Sequence, residues 1–462
     1  MSASILTTST ELLRLVFATL SRSDLYALCL THRDLRAVAE KFLYARVELT
    51  WTKSQTPPIA QFVQNIVQRP ELASSVSVLI LSGCTFDDYY YDYKLSSPKL
   101  PLGEVALDGL VNCIENTSVS FAREWIQELR AGTMDAFISL LLSQLRSLRF
   151  LQLSQNFARE SRLMGMMLRS ALCEKSIYLS PFSHLQDVEA LFPGVGLFVR
   201  KYTDARNTAD VLPLFYLPFV ERIRVLVDNP PTFIWPGKTL PNPSKLVSLD
   251  LTMLREGHLG QVLSTTPNLR KLKWDWYFRR DLQDEYVTDI IDLDQIAVDL
   301  SHVRNSLTDL TITAGSSLSE SAPEYPELRF RGSFKAFSEL HKLRTLEVPI
   351  AFLLGFSPST PNVAHLEESL PRNLQWLTVT DGLSFQQEWE WEWETTYLLE
   401  AIRPWLQKWK IFTPRLQGFC LLVSQLGIWE PAMIQSLEDI GHQSGIQVQI
   451  TEAETVRESG LM

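Results

Sequence analysis

The apolar positions of the chain follow two different periods. Over residues 10–43 they recur at helical spacing in three short runs. The first holds Leu12, Leu13, Leu15, Val16, Phe17 and Leu20, the second Leu25, Leu28, Cys29 and Leu30, and the third Leu35, Val38, Ala39, Phe42 and Leu43. A hydroxyl residue followed three positions later by an acid marks each start: Thr8 and Glu11, Ser21 and Asp24, Thr31 and Asp34. Such a pair satisfies the free backbone N–H groups of a first helical turn, so the pattern predicts three short helices. The first run has more apolar positions than a single buried stripe uses. A module of about 45 residues also hides little surface by itself. Its surplus apolar side chains need cover, from later residues of the chain or from another polypeptide.

From about residue 70 the spacing changes to L-x-x-L-x-L. The fullest copy is "LRSLRFLQLSQN", with Leu145, Leu148, Leu151, Leu153 and Asn156. Further copies centre on Ile223, Leu249, Leu272, Leu310, Leu346, Leu377 and Phe419. From Leu249 onward these centres lie about 23 to 42 residues apart, mostly with helix-length segments between them. The x of L-x-L lets both leucines of a short strand point the same way, and the leucine three positions earlier comes from the turn entering the strand. One such unit buries a single edge and needs a neighbour on each side. The reading is a stack of parallel strands with helices on the outside, "SVSVLILSG" near Val78 being the first strand and "IQVQI" near Val448 the last. A doubly wound α/β domain is the alternative.

Several segments break the pattern. Residues 87–101, 228–245 and 315–332 read as loops, the middle one dense in proline. "EWEWEWE", residues 388–394, suits a helix better than a strand, given the "TTYLLEAIRPWLQKW" that follows, with its tryptophans covering the core; an exposed aromatic and acidic recognition surface is the alternative.

Composition narrows the function. Hydrophobic residues make up 45% and charged residues 21%, a globular balance, and the formal net charge of -10 argues against nucleic-acid binding as the main activity. No basic start followed by an apolar run marks a secretory signal, and no apolar stretch reaches membrane-spanning length. Cys29, Cys84, Cys113, Cys173 and Cys420 are odd in number and lack CxxC spacing. They are expected to be reduced thiols in a cytoplasmic or nuclear protein. The sequence carries no recognisable catalytic motif. His32, His184, His258, His302, His341, His365 and His442 are scattered, and HExxH, GxSxG and the GxxxxGK phosphate loop are missing. "PGVGLFVRK", residues 193–201, has Val199 where a dinucleotide fingerprint needs its third glycine. The expectation is a protein with no catalytic residues, no metal and no cofactor, and no nucleic-acid or membrane partner. A hydrolase on an α/β core is the less favoured alternative.

Binding is better supported. On the repeat strands, residues between inward leucines face the open side: Gln152, Arg224, Asp250, Lys271, Lys273, Asp275, Thr311, Glu347 and Thr378. This mixed charge suits a protein or peptide. "KLKWDWYFRR", residues 271–280, combines Trp, Tyr and Arg, which dominate interface energetics, so Lys271, Lys273 and Asp275, with Arg224 and Gln152, are the candidate target-binding residues. Trp274 and Trp276 either join that surface or point inward as core.

Two resemblances complete the reading. "TELLRLVFATLSRSDLYALCLTHRDLRAVAEKFLYARVEL" resembles an F-box, through Glu11-Leu12-Leu13, Val16-Phe17, Leu20, Asp24-Leu25 and the polar-basic run before Leu35, and "LCLTHRDLRAVAEKFLY" is similar to the third-helix region of many fungal F-box proteins. The family usually places Leu-Pro where Thr8 and Ser9 stand here. The later pattern resembles a leucine-rich repeat. These resemblances imply an α/β chain with a small N-terminal helical F-box at 1–50, an irregular leucine-rich-repeat solenoid at 51–451 and a polar tail at 452–462. The implied function is the substrate receptor of an SCF ubiquitin ligase, held on a Skp-family adaptor and a cullin through Glu11, Leu12, Leu13, Val16, Phe17, Leu20, Asp24, Leu25 and Leu28, and holding an unknown target protein through its repeats. An interaction scaffold without a ligase link is the alternative.

Overall fold

The computed structural model describes residues 8–83, 86, 97–103, 105–158, 161–190, 210–279, 287–317, 327–333, 335–358, 366–384, 386, 395–424 and 430–452. The tryptophan-glutamate segment 388–394, the glycine-containing segment 193–201, most of 87–101 and the tail from 453 lie outside the described residues. The chain is α/β, with strands in parallel ladders and helices between them. It divides into two compact units, Met1–Ile223 with Trp235–Pro241, and Arg224–Ile234 with Asn242–Met462. No described helix is long and apolar enough to cross a membrane.

The first unit opens with helices α1 (Thr10–Phe17), α2 (Arg22–Thr31) and α3 (Arg33–Ala45), as the sequence predicts. Their caps differ in detail. Ser9, not Thr8, caps α1, accepting from the Leu12 N–H at 3.4 Å. Ser21 caps α2, accepting from the Asp24 N–H at 3.2 Å. His32 caps α3 through Nδ1, while Thr31 remains the last residue of α2 and donates its hydroxyl to the Leu28 carbonyl.

Helix α3 runs directly into β1 (Arg46–Thr50), which pairs in parallel with β2 (Val78–Ser82). The first strand therefore precedes Val78, and a module boundary after residue 50 falls at the end of a sheet strand. β1 escaped the sequence pattern because "RVELT" offers only Val47 and Leu49 as apolar positions. β3 (Phe150–Leu153) and β4 (Asp187–Ala190) extend the ladder in the order β1-β2-β3-β4. β4 was not predicted, because its Leu185-x-x-Val188-x-Ala190 ends in alanine. The helix Met134–Gln144 is buried at every position from 134 to 143. It is apolar nearly all round and packs against the helices Ile59–Gln68, Ala122–Arg130 and Arg162–Leu168. Asn156 is buried, and its side chain donates to the Trp51 carbonyl at 2.7 Å, linking the turn after β3 to the turn after β1, while its backbone N–H donates to Gly83 after β2 at 3.0 Å.

β5 (Arg222–Leu226) lies where the two units meet in sequence. The second unit then carries β6 (Ser248–Thr252), β7 (Lys271–Arg279), β8 (Ile290–Asp292), β9 (Asp309–Ser317), β10 (Arg329–Arg331), β11 (Thr345–Pro349), β12 (Trp376–Thr380), β13 (Gly418–Val423) and β14 (Gln447–Glu452). The ladder order is β6-β7-β9-β11-β12-β13-β14, all parallel, and β8 pairs with β10 separately. Every L-x-x-L-x-L copy predicted from residue 246 onward is a strand here. Residues 315–332 are therefore not wholly loop, since β9 continues to Ser317 and β10 occupies 329–331. β14 takes in Glu452, the first residue assigned to the tail.

Burial alternates along these strands, as a half-covered sheet requires. Leu249, Leu251, Leu272, Trp274, Leu310, Ile312, Leu346, Val348, Leu377 and Val379 are all buried, and the residues between them stay at least partly open. At Gly418 a Cβ would lie 2.2 Å from the Trp376 ring, so only glycine lets that ring lie across β13.

Candidate functional site

The helical module closes a core of its own. Leu13, Phe17, Leu25, Leu35 and Ala39 are buried together, with Leu20, Leu28, Cys29, Val38, Phe42 and Leu43 packed around them. This corrects part of the expected docking set. Leu13, Phe17 and Leu25 are sealed inside the module and build the face from beneath, while Leu20 and Leu28 are half-buried flanks. Glu11 and Asp24 are exposed in the first turns of α1 and α2, where their charge suits a helix N-terminus.

What remains open is apolar. Leu12 is 55% exposed, Leu15 69% and Val16 50%. Their i, i+3, i+4 spacing sets them on one face of α1. Tyr26 and Leu30, four apart on α2, are 61% and 71% exposed. Sequence reasoning did not place Leu15, Tyr26 or Leu30 among the docking residues, although spacing alone puts Leu15 beside Leu12 and Val16. No described residue later in the chain covers this stripe, whereas α3 is firmly attached. Arg69 grips Glu40 with two hydrogen bonds of 2.8 Å, and Tyr44 stacks on Phe62 with ring centroids 6.1 Å apart. The Arg69 hydrogen bonds hold the Glu40 carboxyl below its ordinary range.

The second unit presents the other candidate residues. Asp250, Lys273, Thr311, Glu347 and Thr378 are in register across β6, β7, β9, β11 and β12 and form one row on the open side. Lys271 and Lys273 are exposed. Arg224 pairs with Asp250 at 2.9 Å. Asp275 is half-buried and accepts from the Thr313 hydroxyl at 2.9 Å. Burial raises the Asp275 carboxyl, against the opposing pull of Lys273. Gln152 belongs to the first unit, in the row Ile80, Gln152, Glu189.

The tryptophans of 271–280 are core, not contact surface. Trp274 and Trp276 are both fully buried, and their indole N–H groups donate to the Leu254 carbonyl at 2.7 Å and to Glu256 Oε2 at 3.0 Å. Their place on inward strand positions decides this, because L-x-L alternation fixes direction whatever the residue type.

Beneath them lies a buried polar cluster that the sequence did not reveal. Arg255, fully buried, clasps Glu256 at 2.9 and 3.0 Å and stacks on the Trp276 ring at 4.2 Å. Asp299, also buried, accepts from the Gln295 side chain at 2.8 Å, while its second carboxyl oxygen has no hydrogen-bond partner among the described residues. Burial above all pushes the Asp299 carboxyl up to about 7, with nearby Glu256 adding to the rise. Among the described residues no three His, Cys, Asp or Glu side chains are grouped to hold a metal.

A raised carboxyl makes stability fall as pH rises. The folded protein keeps the Asp299 proton up to about 7, whereas the unfolded chain releases it near its ordinary 3.8. Its contribution is therefore present below the unfolded value and lost between there and about 7. The variant Asp299→Asn has no proton to lose. Its melting temperature relative to the wild type is expected to climb steadily between about pH 4 and pH 7 and then level off. A constant difference across that range would show that Asp299 ionises alike in both states.

Compared with models of known protein families and with curated protein sequences, the chain matches none.

Proposed function

We propose that the chain is the substrate-recognition subunit of an SCF-type ubiquitin ligase. Its F-box-like helical module docks on a Skp-family adaptor, and its leucine-rich-repeat-like sheet holds a target protein. The observation that carries this reading is the uncovered stripe of Leu12, Leu15 and Val16 on a module whose core is already complete. Moving one such side chain from water into an interface contributes about 1.5–3 kcal/mol. Three together reach the scale of a useful association, before its entropic cost is subtracted. At the departure from the family pattern at Thr8 and Ser9, Ser9 has φ −60°, within the range to which a proline ring is locked, which supports the reading. The receptor itself does no covalent chemistry and acts by proximity, raising the concentration of target lysines near a separate transferring enzyme.

Co-purification with the adaptor tests the reading. The full chain is expected to retain adaptor at micromolar concentration. The double variant Leu12→Asp with Val16→Asp is expected to weaken retention by about 100-fold, because two charges must then be buried against an apolar partner. Both positions are exposed, so its melting temperature should hardly move. No adaptor bound at micromolar concentration would leave an interaction scaffold as the better description.

A further inference from the structure

The second unit gathers positive charge along the edge where its strands begin. Six successive turns, 243–248, 266–271, 302–309, 339–345, 371–376 and 413–418, feed β6, β7, β9, β11, β12 and β13. Backbone hydrogen bonds stack these turns. The Arg270 N–H donates to Val247 at 2.9 Å, Thr308 to Arg270 at 2.8 Å, Arg344 to Thr308 at 2.8 Å, Gln375 to Arg344 at 2.7 Å and Gln417 to Gln375 at 2.7 Å. In each turn at least one apolar residue is buried, from Leu246 to Leu416, while the cations beside it face water.

Every turn carries such a cation: Lys245, Arg270, Arg304, Lys342, Arg372 and Arg415, all exposed. Lys271 and Arg344 bring the six turns to eight cations against two carboxylates. Of the two, Asp309 accepts from the Thr308 hydroxyl at 2.6 Å, and Glu339 lies 3.5 Å from His341. None of the eight cations makes an ion pair among the described residues. Elsewhere in the same unit Arg224, Arg329 and Arg331 all find an aspartate. In a chain of net charge -10 this edge is a local reversal of sign. Helix C-termini attract cations, but only within the last turn. That effect does not account for two cations in the turn before β7 and two more before β11.

We propose that this edge docks an extended protein segment rich in glutamate and aspartate. Neighbouring strands lie about 4.8 Å apart, so six turns span about 24 Å. At least one exposed cation per turn over that length makes a ladder with a repeat of about 4.8 Å, within reach of the carboxylates that an extended acidic chain presents on one face about every 6.6 Å. Single-stranded nucleic acid fits less well, since it binds on exposed aromatic platforms. Trp376 is the one aromatic residue in these turns, and its ring is half-buried across Gly418. The inference goes beyond the adaptor reading and does not depend on it, because the helical face belongs to the other unit.

The test uses the full chain and a fluorescein-labelled deca-glutamate peptide, followed by anisotropy at about 50 mM salt. Saturable binding that weakens as salt rises is expected, tighter than binding of a labelled ten-nucleotide oligo-dT. The variant Lys342→Glu, Arg344→Glu, Arg372→Glu should bind the peptide at least about tenfold more weakly. The neutral variant Lys342→Gln, Arg344→Gln, Arg372→Gln should fall between, with an unchanged melting temperature. Three results would overturn the proposal: no saturable peptide binding, equal binding by the reversed variant, or oligo-dT bound as tightly as the peptide. A neutral variant that melts earlier yet binds the peptide like wild type would assign these cations to the helix ends and overturn it as well.

Discussion

Replacing Arg255 with methionine is expected to destabilise the second unit by about 3–5 kcal/mol, measured by chemical denaturation followed through tryptophan fluorescence. The guanidinium is fully buried and spends its donors on Glu256, the Thr288 carbonyl at 3.0 Å and the Ile290 carbonyl at 2.8 Å. Without it, Glu256 keeps hydrogen bonds from the Trp276 indole at 3.0 Å and the Asp292 N–H at 3.2 Å, but no compensating charge. A buried carboxylate stripped of its partner is a far larger penalty than the net value of the pair. The double variant Arg255→Met with Glu256→Gln should therefore recover part of the loss, because it removes the stranded charge and keeps an acceptor for Trp276. A single variant costing less than about 1 kcal/mol would mean that water reaches Glu256 when the guanidinium is gone.

The second unit was legible because its signal is repetitive. Each strand from β6 to β13 in its main ladder carries an apolar pair at L-x-L spacing, and the period of a strand fixes which side chains go inward. Trp274 reads as core once it is aligned with Leu251 and Ile312, its register partners. β1 and β4 were missed for the opposite reason. Val47 and Ala190 are inward residues too small or too few to stand out until the ladder supplies a neighbour. The Arg255–Glu256 pair was invisible as well. Two adjacent charged residues read as a solvated turn, and only the packing of β7 over them shows that they are inside.

In the helical module the apolar spacing shows the helices but not which apolar residues stay open. Three adjoining runs of apolar positions predict α1, α2 and α3 without saying how they roll against one another. Leu12 and Leu13 are adjacent, yet one is 55% exposed and the other 7%. That difference is a rotation of about 100° around α1, which only the contacts with α2 and α3 determine. The expected docking set mixed core and surface because every one of its apolar members is plausible on composition.

Val16 and Phe17 turn that distinction into a second large prediction. Phe17 is 1% exposed at the centre of the module, and Phe17→Ala is expected to cost about 3–5 kcal/mol through the cavity it leaves. So few buried residues support α1 and α2 that a loss of this size should open them locally while the rest of the first unit stays folded. Hydrogen exchange should show protection falling across residues 10–31 and holding across β2, β3 and the end of α3 that Arg69 and Phe62 anchor. Val16→Ala, one position earlier and 50% exposed, should change exchange and melting temperature little, within about 0.5 kcal/mol. Adaptor binding separates the two roles. Phe17→Ala loses it because the face is no longer presented, whereas Val16→Asp loses it with the module intact. Phe17→Ala with unchanged protection over α1 would show that the module is held from outside its own core, and the open stripe would then lack the rigid support that docking requires.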